Sequence, residues 1–220
     1  MKIENVYPKL TYRIITGTLL AIITLSIFYF STLLFSLFLV SLLALILTFE
    51  WPRLCKATPI LWLLTPIYPI LPVFLMIIIN HQSYYRWLII NLLVIIATHD
   101  TGSYIAGHFV GKHKILPHIS PGKTWEGFWG GYIFVLSIQL LLLILQRKIV
   151  HPIPLIITLL IICFISLAGD LFESLLKRKA HLKDSGYFLP GHGGFLDRFD
   201  GLLFAIYFFY LFKNYLSTIF

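Results

Sequence analysis

Apolar residues run through this chain in long blocks, and the polar residues that part them gather into a few short stretches. With glycine, proline and charge as punctuation, the blocks fall near 11–29, 32–49, 59–79, 87–107, 128–146, 153–171 and 202–218. A helix of about 18 or more apolar residues crosses a hydrocarbon core roughly 30 Å thick. The blocks therefore predict about seven membrane-spanning helices, and the ten-residue alternation of a membrane β-barrel is missing. The predicted fold class is all-α, a polytopic integral membrane protein forming one membrane domain. The third block carries Pro66, Pro69 and Pro72 and predicts either a bent span or two half-spans. The first begins near Leu10, is longer than a signal-peptide core, has no small-residue cleavage site behind it, and reads as a retained span.

Composition sharpens this picture. Only 12% of the 220 residues are charged, about half the usual share of a globular protein. Cys55 and Cys163 stand alone, without metal or redox spacing. A formal net charge of +8 suggests nucleic acid in a soluble protein. In a membrane chain, basic loops mark the cytoplasmic side and attract anionic lipid, so membrane lipids are the expected partners and nucleic acid is not. With the N-terminus in the cytoplasm, thirteen Lys and Arg fall on the inner side and four (Arg86, Arg147, Lys148 and Lys213) on the outer side. That positive-inside bias predicts a cytoplasmic N-terminus and places the loops 108–127 and 172–200 on one cytoplasmic face. Residues 1–95 read as N-terminal spans, and 96–220 as the membrane region bearing those two loops, where chemistry is to be sought.

Five of the nine carboxylates fall between Gly169 and Gly201. Asp170, Glu173, Ser174 and Lys177 are spaced i, i+3, i+4, i+7 and share one helix face. Such a face suits a divalent cation with its acids and a phosphate with its lysine; an ordinary salt-bridged helix end is the plainer alternative. Asp170 follows an apolar run directly, where a carboxylate is costly and usually functional. The backbone amides of Pro190-Gly191-His192-Gly193-Gly194 are able to cradle phosphate. His192 has three options there, as phosphate donor, proton carrier or turn-stabilising donor, and the sequence leaves them open. Asp197 and Asp200 flank Arg198 at the start of the last span. Magnesium takes one or two carboxylates plus waters and phosphate oxygens, which makes Asp170 and Asp197 the leading ligand pair and Asp200 the third.

Upstream, Gly122-Lys123-Thr124 invites comparison with a nucleotide P-loop, but position 117 is proline where that motif needs glycine, and no strand is expected before it. Lys123 remains a candidate phosphate contact, Glu126 a helix cap or an orienting partner for Lys123, and Asp100 a substrate, cation or lysine partner. His108, His113 and His118 recur every fifth residue, off any single helix face, and read as interfacial loop residues.

Taken together, Ser174-Leu175-Leu176-Lys177-Arg178, Lys183-Asp184, Pro190-Gly191-His192-Gly193-Gly194 and Asp197-Arg198-Phe199-Asp200 resemble the signature of the phosphatidate cytidylyltransferase family. Asp100-Thr101-Gly102-Ser103-Tyr104, Gly111-Lys112-His113-Lys114 and Ser120-Pro121-Gly122-Lys123-Thr124-Trp125-Glu126-Gly127 resemble its upstream segments. The similarity covers roughly residues 95–201. Where Gly122 stands, the family commonly has lysine, and many members are longer at the N-terminus.

The resemblance implies a homodimeric enzyme of the cell inner (plasma) membrane, multi-pass, with its active site facing the cytoplasm. It would use CTP, phosphatidic acid and Mg2+, a second cation being left open, to form CDP-diacylglycerol and pyrophosphate. Lys177, Arg178, Lys183, Asp184, His192 and Arg198 would be catalytic. Asp100, Ser120, Lys123, Thr124, Glu126, Ser174, Gly193 and Gly194 would contact substrate, and Asp170, Asp197 and Asp200 the metal. The chemistry agrees, because joining two polyanions requires relief of their repulsion, and Lys123, Lys177, Arg178, Lys183 and Arg198 would form a basic ring around them. Alternatives are a CTP-dependent polyprenol kinase or another lipid cytidylyltransferase and, more remotely, a secondary transporter. The transporter would call for a repeat and midplane charges, and the sequence offers neither.

Overall fold

The computed structural model describes residues 7–56, 58–189 and 193–220. It is helical apart from one small hairpin, as the apolar blocks predict. Helix α1 covers Tyr7–Phe30. Extended Ser31 ends it and caps α2, its hydroxyl accepting the Leu34 N–H at 3.3 Å. Helix α2 runs Thr32–Cys55. Its turn Ile46–Glu50 widens to π geometry just before Pro52, whose ring cannot donate to the preceding turn and would press on its carbonyl. Glu50 and Trp51 are both wholly buried after this widening.

Helix α3, Pro59–His81, is one run of 23 residues. It absorbs its prolines by changing pitch, from 3-10 turns at Pro59–Leu64 through a π segment at Pro66–Ile70 to α geometry at Leu71–His81. Of the two arrangements the prolines allow, the continuous span is the one formed.

Helices α4 (Trp87–Val110) and α5 (Trp125–Leu145) pack on one another more extensively than any other helix pair among the described residues. A Cβ built at Gly131 would stand 2.1 Å from Ser103 Oγ, so glycine is what allows the two backbones to meet. Between them lies an antiparallel hairpin, β1 (Lys114–Leu116) with β2 (Ser120–Thr124), pairing Lys114 with Thr124 and Leu116 with Ser120. It corrects the expectation that no strand accompanies the Gly122-Lys123-Thr124 stretch. Strands so short and polar carry no alternation to read.

Helix α6 covers Pro152–Lys179. Its 28 residues span about 42 Å at 1.5 Å per residue, longer than a hydrocarbon core of roughly 30 Å. Its last turns can therefore stand clear of the membrane.

Helix α7 (Leu196–Leu211) ends at Phe212 and turns by 94° into α8 (Lys213–Ile219). The expected single span over 202–218 is thus broken. The polar pair at the bend accounts for the break: Lys213 Nζ donates to Gln82 Oε1 at 2.8 Å, and Tyr85 donates to Asn214. Among the described residues, five helices are long and apolar enough to cross a membrane, or six counting α7–α8 as one broken span, and Gly17–Phe30 is an apolar stretch of α1. The core between them is built on Trp51, Leu92, Leu159, Ile162 and Phe209.

The polar ends of the helices sort into two sets. Lys213, Asn214, Gln82, Tyr85, Lys148 and Ser217 bond to one another at one end. The hairpin, the C-terminus of α6, the N-terminus of α7 and the end of α2 meet at the other.

Candidate active site

The site is built where α6 crosses α7. A Cβ at Gly169 would lie 2.6 Å from the carbonyl oxygen of Asp200, and one at Gly201 would lie 2.4 Å from Ser166 Oγ and 2.8 Å from Asp170 Oδ1. Two glycines thus bring Asp170 and Asp200, from separate helices, to one crossing point. Asp197 stands one turn before Gly201, about 6 Å along the axis by the helical rise.

The predicted face of α6 forms. Asp170 and Glu173 are buried on it, and Ser174 is half-buried. Lys177 Nζ reaches Glu173 Oε2 at 2.5 Å and, across the helix interface, Asp197 Oδ1 at 2.7 Å. The Glu173 contact is an ion pair by distance but not a directed hydrogen bond. It leaves a wholly buried carboxylate with spare lone pairs. Lys123 of β2 donates to Asp170 Oδ2. Every acid engaged here is therefore held by a lysine from another turn or another element.

Asp197 has a second task. Its Oδ2 accepts from Ser185 N–H (2.9 Å), Ser185 Oγ (3.0 Å) and Gly194 N–H (2.7 Å). Gly193 has φ +82 and exchanges backbone bonds with Leu189, at 3.0 and 3.1 Å. The amides of Gly193 and Gly194 are thus engaged within the protein, by Leu189 and Asp197. They shape the turn, and Gly194 admits no side chain because its Cβ would fall 2.2 Å from Ser185 Oγ. The prediction for His192 lies outside the described residues.

The hairpin supplies the opposite wall. Thr124 caps α5, its Oγ1 accepting from Gly127 N–H at 3.1 Å. Glu126 does not reach Lys123. It accepts the N–H groups of Lys112 and His113 at 3.1 Å each and lies 2.5 Å from His113 Nδ1, closing the turn that starts the hairpin. Arg178 donates from Nε to the carbonyl of Ile119 at 3.1 Å, tying the end of α6 to the hairpin turn, where Ser120 begins β2. Beneath the hairpin a cavity of about 290 Å³ opens between α4, α5 and α6. Asp100, Lys123 and Asp170 line it together with His99, a buried imidazole whose Nδ1 lies 4.0 Å from Asp100 Oδ1. Lys183, Asp184 and Arg198 are exposed, do not line the cavity, and form no ion pair among the described residues.

Three further residues belong to this constellation without standing out in the sequence: Glu50, Arg53 and Ser185. Glu50 accepts from Phe195 N–H, Leu196 N–H and Ser185 Oγ, and Arg53 donates to Ser185 O at 3.3 Å. The signal that marks Glu50 is the one that marks Asp170, a carboxylate at the end of an apolar run, and it is the sole acid between Glu4 and Asp100.

No group of three or more His, Cys, Asp or Glu side chains forms a ready metal cage among the described residues. The donors present are hard carboxylate oxygens, one of them buried with spare lone pairs. That set suits a hydrated cation taking one or two acids and completing its shell with water and substrate oxygens.

Comparison with known proteins gives a consistent result. Residues 58–216 match the model of the cytidylyltransferase family. The chain is 47% identical over 134 residues to the phosphatidate cytidylyltransferase of Bacillus subtilis, covering 60% of this chain and 49% of that protein. It is 48% identical over 122 residues to that of Staphylococcus saprophyticus, covering 55% and 46%. To that of Haemophilus influenzae it is 34% identical over 184 residues, covering 76% and 63%. The chain thus spans about half the length of the first two relatives.

Proposed function

The chain belongs to the cytidylyltransferase family, and from that premise we propose that it transfers the cytidylyl group of CTP to phosphatidic acid, giving CDP-diacylglycerol and pyrophosphate at the cytoplasmic face of the inner membrane. The observation that carries this reading is the meeting of Asp170, Glu173 and Asp197, from two helices, with Lys123 and Lys177 beside a cavity at one end of the membrane bundle.

In the reaction, an oxygen of the phosphatidate phosphate forms a bond to the α-phosphorus of CTP as the bond from that phosphorus to the β-phosphate oxygen breaks. The attacking oxygen is already anionic near neutral pH, so no strong base is needed, and catalysis reduces to positioning and charge neutralisation. Lys123 and Lys177 hold acids in the protein alone, and each ammonium would turn to phosphate oxygens when the polyanions arrive. Lys183 and Arg198, both exposed, would meet the triphosphate first, and Arg178 would keep the hairpin over the cavity. Asp170 and Asp197, with Asp200 beside them, would hold Mg2+, which when bound offsets charge on the triphosphate and polarises its phosphorus. Acyl tails would stay in the bilayer while the headgroup reaches the cavity. A homodimer belongs to the same reading and is measurable by mass in detergent.

The test is an assay of purified protein with CTP labelled either in the base or in the γ-phosphate, against phosphatidate, diacylglycerol, polyprenol and polyprenyl phosphate. Base label entering lipid only with phosphatidate, with release of pyrophosphate, is expected. γ-Label entering polyprenol would replace this reading with the kinase.

A further inference from the structure

Glu50 stands apart from the acids discussed so far. It comes from α2, lies outside the stretch 58–216 that matches the family model, and is wholly buried. It has no basic side chain within ion-pair distance among the described residues. An unpaired buried carboxylate is costly unless hydrogen bonds compensate it. Here they do: Oε1 accepts the Phe195 N–H at 2.8 Å, and Oε2 accepts the Leu196 N–H at 2.8 Å and the Ser185 hydroxyl at 3.1 Å.

The two amides open α7. They are among the N–H groups that a helix leaves unpaired at its start, and they sit at the positive end of its dipole. Glu50 therefore caps α7 from a different helix. The fit is close on both sides of the loop, since a Cβ at Gly186 or at Gly194 would come within 2.7 Å of Glu50 Oε1. Arg53, three residues on, donates to Ser185 O at 3.3 Å and places its guanidinium 4.7 Å from the centre of the Tyr187 ring. The link onward is Ser185. Its hydroxyl lies between Glu50 Oε2 (3.1 Å) and Asp197 Oδ2 (3.0 Å), and its N–H donates to Asp197. Its single hydrogen is shared between the two carboxylate oxygens or alternates between them, so the hydroxyl couples the position of one acid to that of the other.

We infer that Glu50 is a positioning residue: by gripping Ser185 and the first amides of α7, it fixes the direction in which Asp197 presents Oδ1 to Lys177 and to the cation it would hold. Its role in turnover rests on the function proposed above; its hold on the loop does not.

The test compares the purified full chain with Glu50→Gln in lipid nanodiscs, by hydrogen exchange and by kinetics. Glutamine keeps one acceptor and turns an NH2 toward the amides. Exchange in 185–189 and 193–196 should therefore accelerate by about tenfold or more for the lost charge-assisted bond, while α4 and α5 keep their protection. In turnover, kcat should fall about tenfold and the magnesium concentration for half-maximal rate should rise severalfold, with KM for CTP changed less than about threefold. Unchanged exchange overturns the inference. So does faster exchange with wild-type kcat and magnesium dependence, and so does a loss of kcat that only follows the unfolded fraction. If Glu50→Gln does not accumulate, Ser185→Ala removes the bridging hydroxyl alone and should move the same readouts in the same direction; wild-type behaviour there overturns the inference equally. If the wild-type chain transfers no cytidylyl group to phosphatidate, the functional reading falls, and the exchange arm still decides whether Glu50 holds the loop.

Discussion

Asp197 uses one carboxylate oxygen on three donors and the other on Lys177, whereas Asp170 answers to Lys123 alone. Two acids with the same proposed duty should therefore fail differently when neutralised. Asp170→Asn should abolish CTP-dependent product, to below about 1% of wild type if a charged contact made in the transition state is lost, with little change in melting temperature. Asp197→Asn should abolish product too. It also turns an amide either toward the donors of Ser185 and Gly194 or toward the Lys177 ammonium, and should cost about 1–3 kcal/mol of stability besides. Turnover assays alongside melting in detergent separate the two. Lys123→Ala should raise KM for CTP by about tenfold, as expected for one charge-assisted phosphate contact; an unchanged KM would remove Lys123 from the substrate. At this scale Asp170, Asp197, Lys123 and Lys177 were legible because charge in an apolar chain has few other reasons to exist. The partners of Asp197 were not. Ser185 and the glycine amides carry no pattern, and Glu50 reaches them from 135 residues upstream of Ser185.

Between elements, glycine decides which surfaces meet. Gly201→Ala would drive a methyl to within 2.4 Å of Ser166 Oγ and 2.8 Å of Asp170 Oδ1. The α6–α7 crossing would have to open, at a cost of about 1–3 kcal/mol as for other overpacked contacts. Turnover should fall more steeply than stability, since the acids part as the helices do. Gly122 is the opposite case. Nothing lies within 4 Å of the Cβ it lacks, and it lines the cavity beside Lys123. Gly122→Lys adds a cation beside Lys123, and its Cβ meets no neighbour. It should leave the melting temperature unchanged and lower KM for CTP at low ionic strength, an advantage that fades as salt screens it. Melting curves and a salt series of KM check both variants. That the chain is built of membrane-length helices was readable from block length. The hairpin was not, being short, polar and interrupted by Pro121 and Gly122. Neither was the break at Phe212, which depends on Gln82 and Tyr85, partners distant in sequence waiting at the same level.

At the scale of the whole molecule, the excess of Lys and Arg in alternate loops led to the expectation that loops 108–127 and 172–200 share a side. The bond from Arg178 to Ile119 joins those loops at one end of the bundle, where Lys123 also pairs with Asp170 at the end of the preceding span. Which end faces the cytoplasm is a separate matter, and one that the same charge bias predicts. CTP is a cytoplasmic nucleotide, so the proposed reaction requires the hairpin end to face inward. Cys55 and Cys163 are both wholly buried, and a cysteine introduced at an exposed site will therefore report without removing them. Lys114→Cys, on exposed β1, should react with a membrane-impermeant maleimide only in inside-out vesicles or after permeabilisation. Ile149→Cys, at a position 99% exposed near the opposite end, should react in intact spheroplasts. The reverse pattern would put the lysine-held acids on the side without CTP. The reaction would then be excluded on topology alone, however well the residues fit.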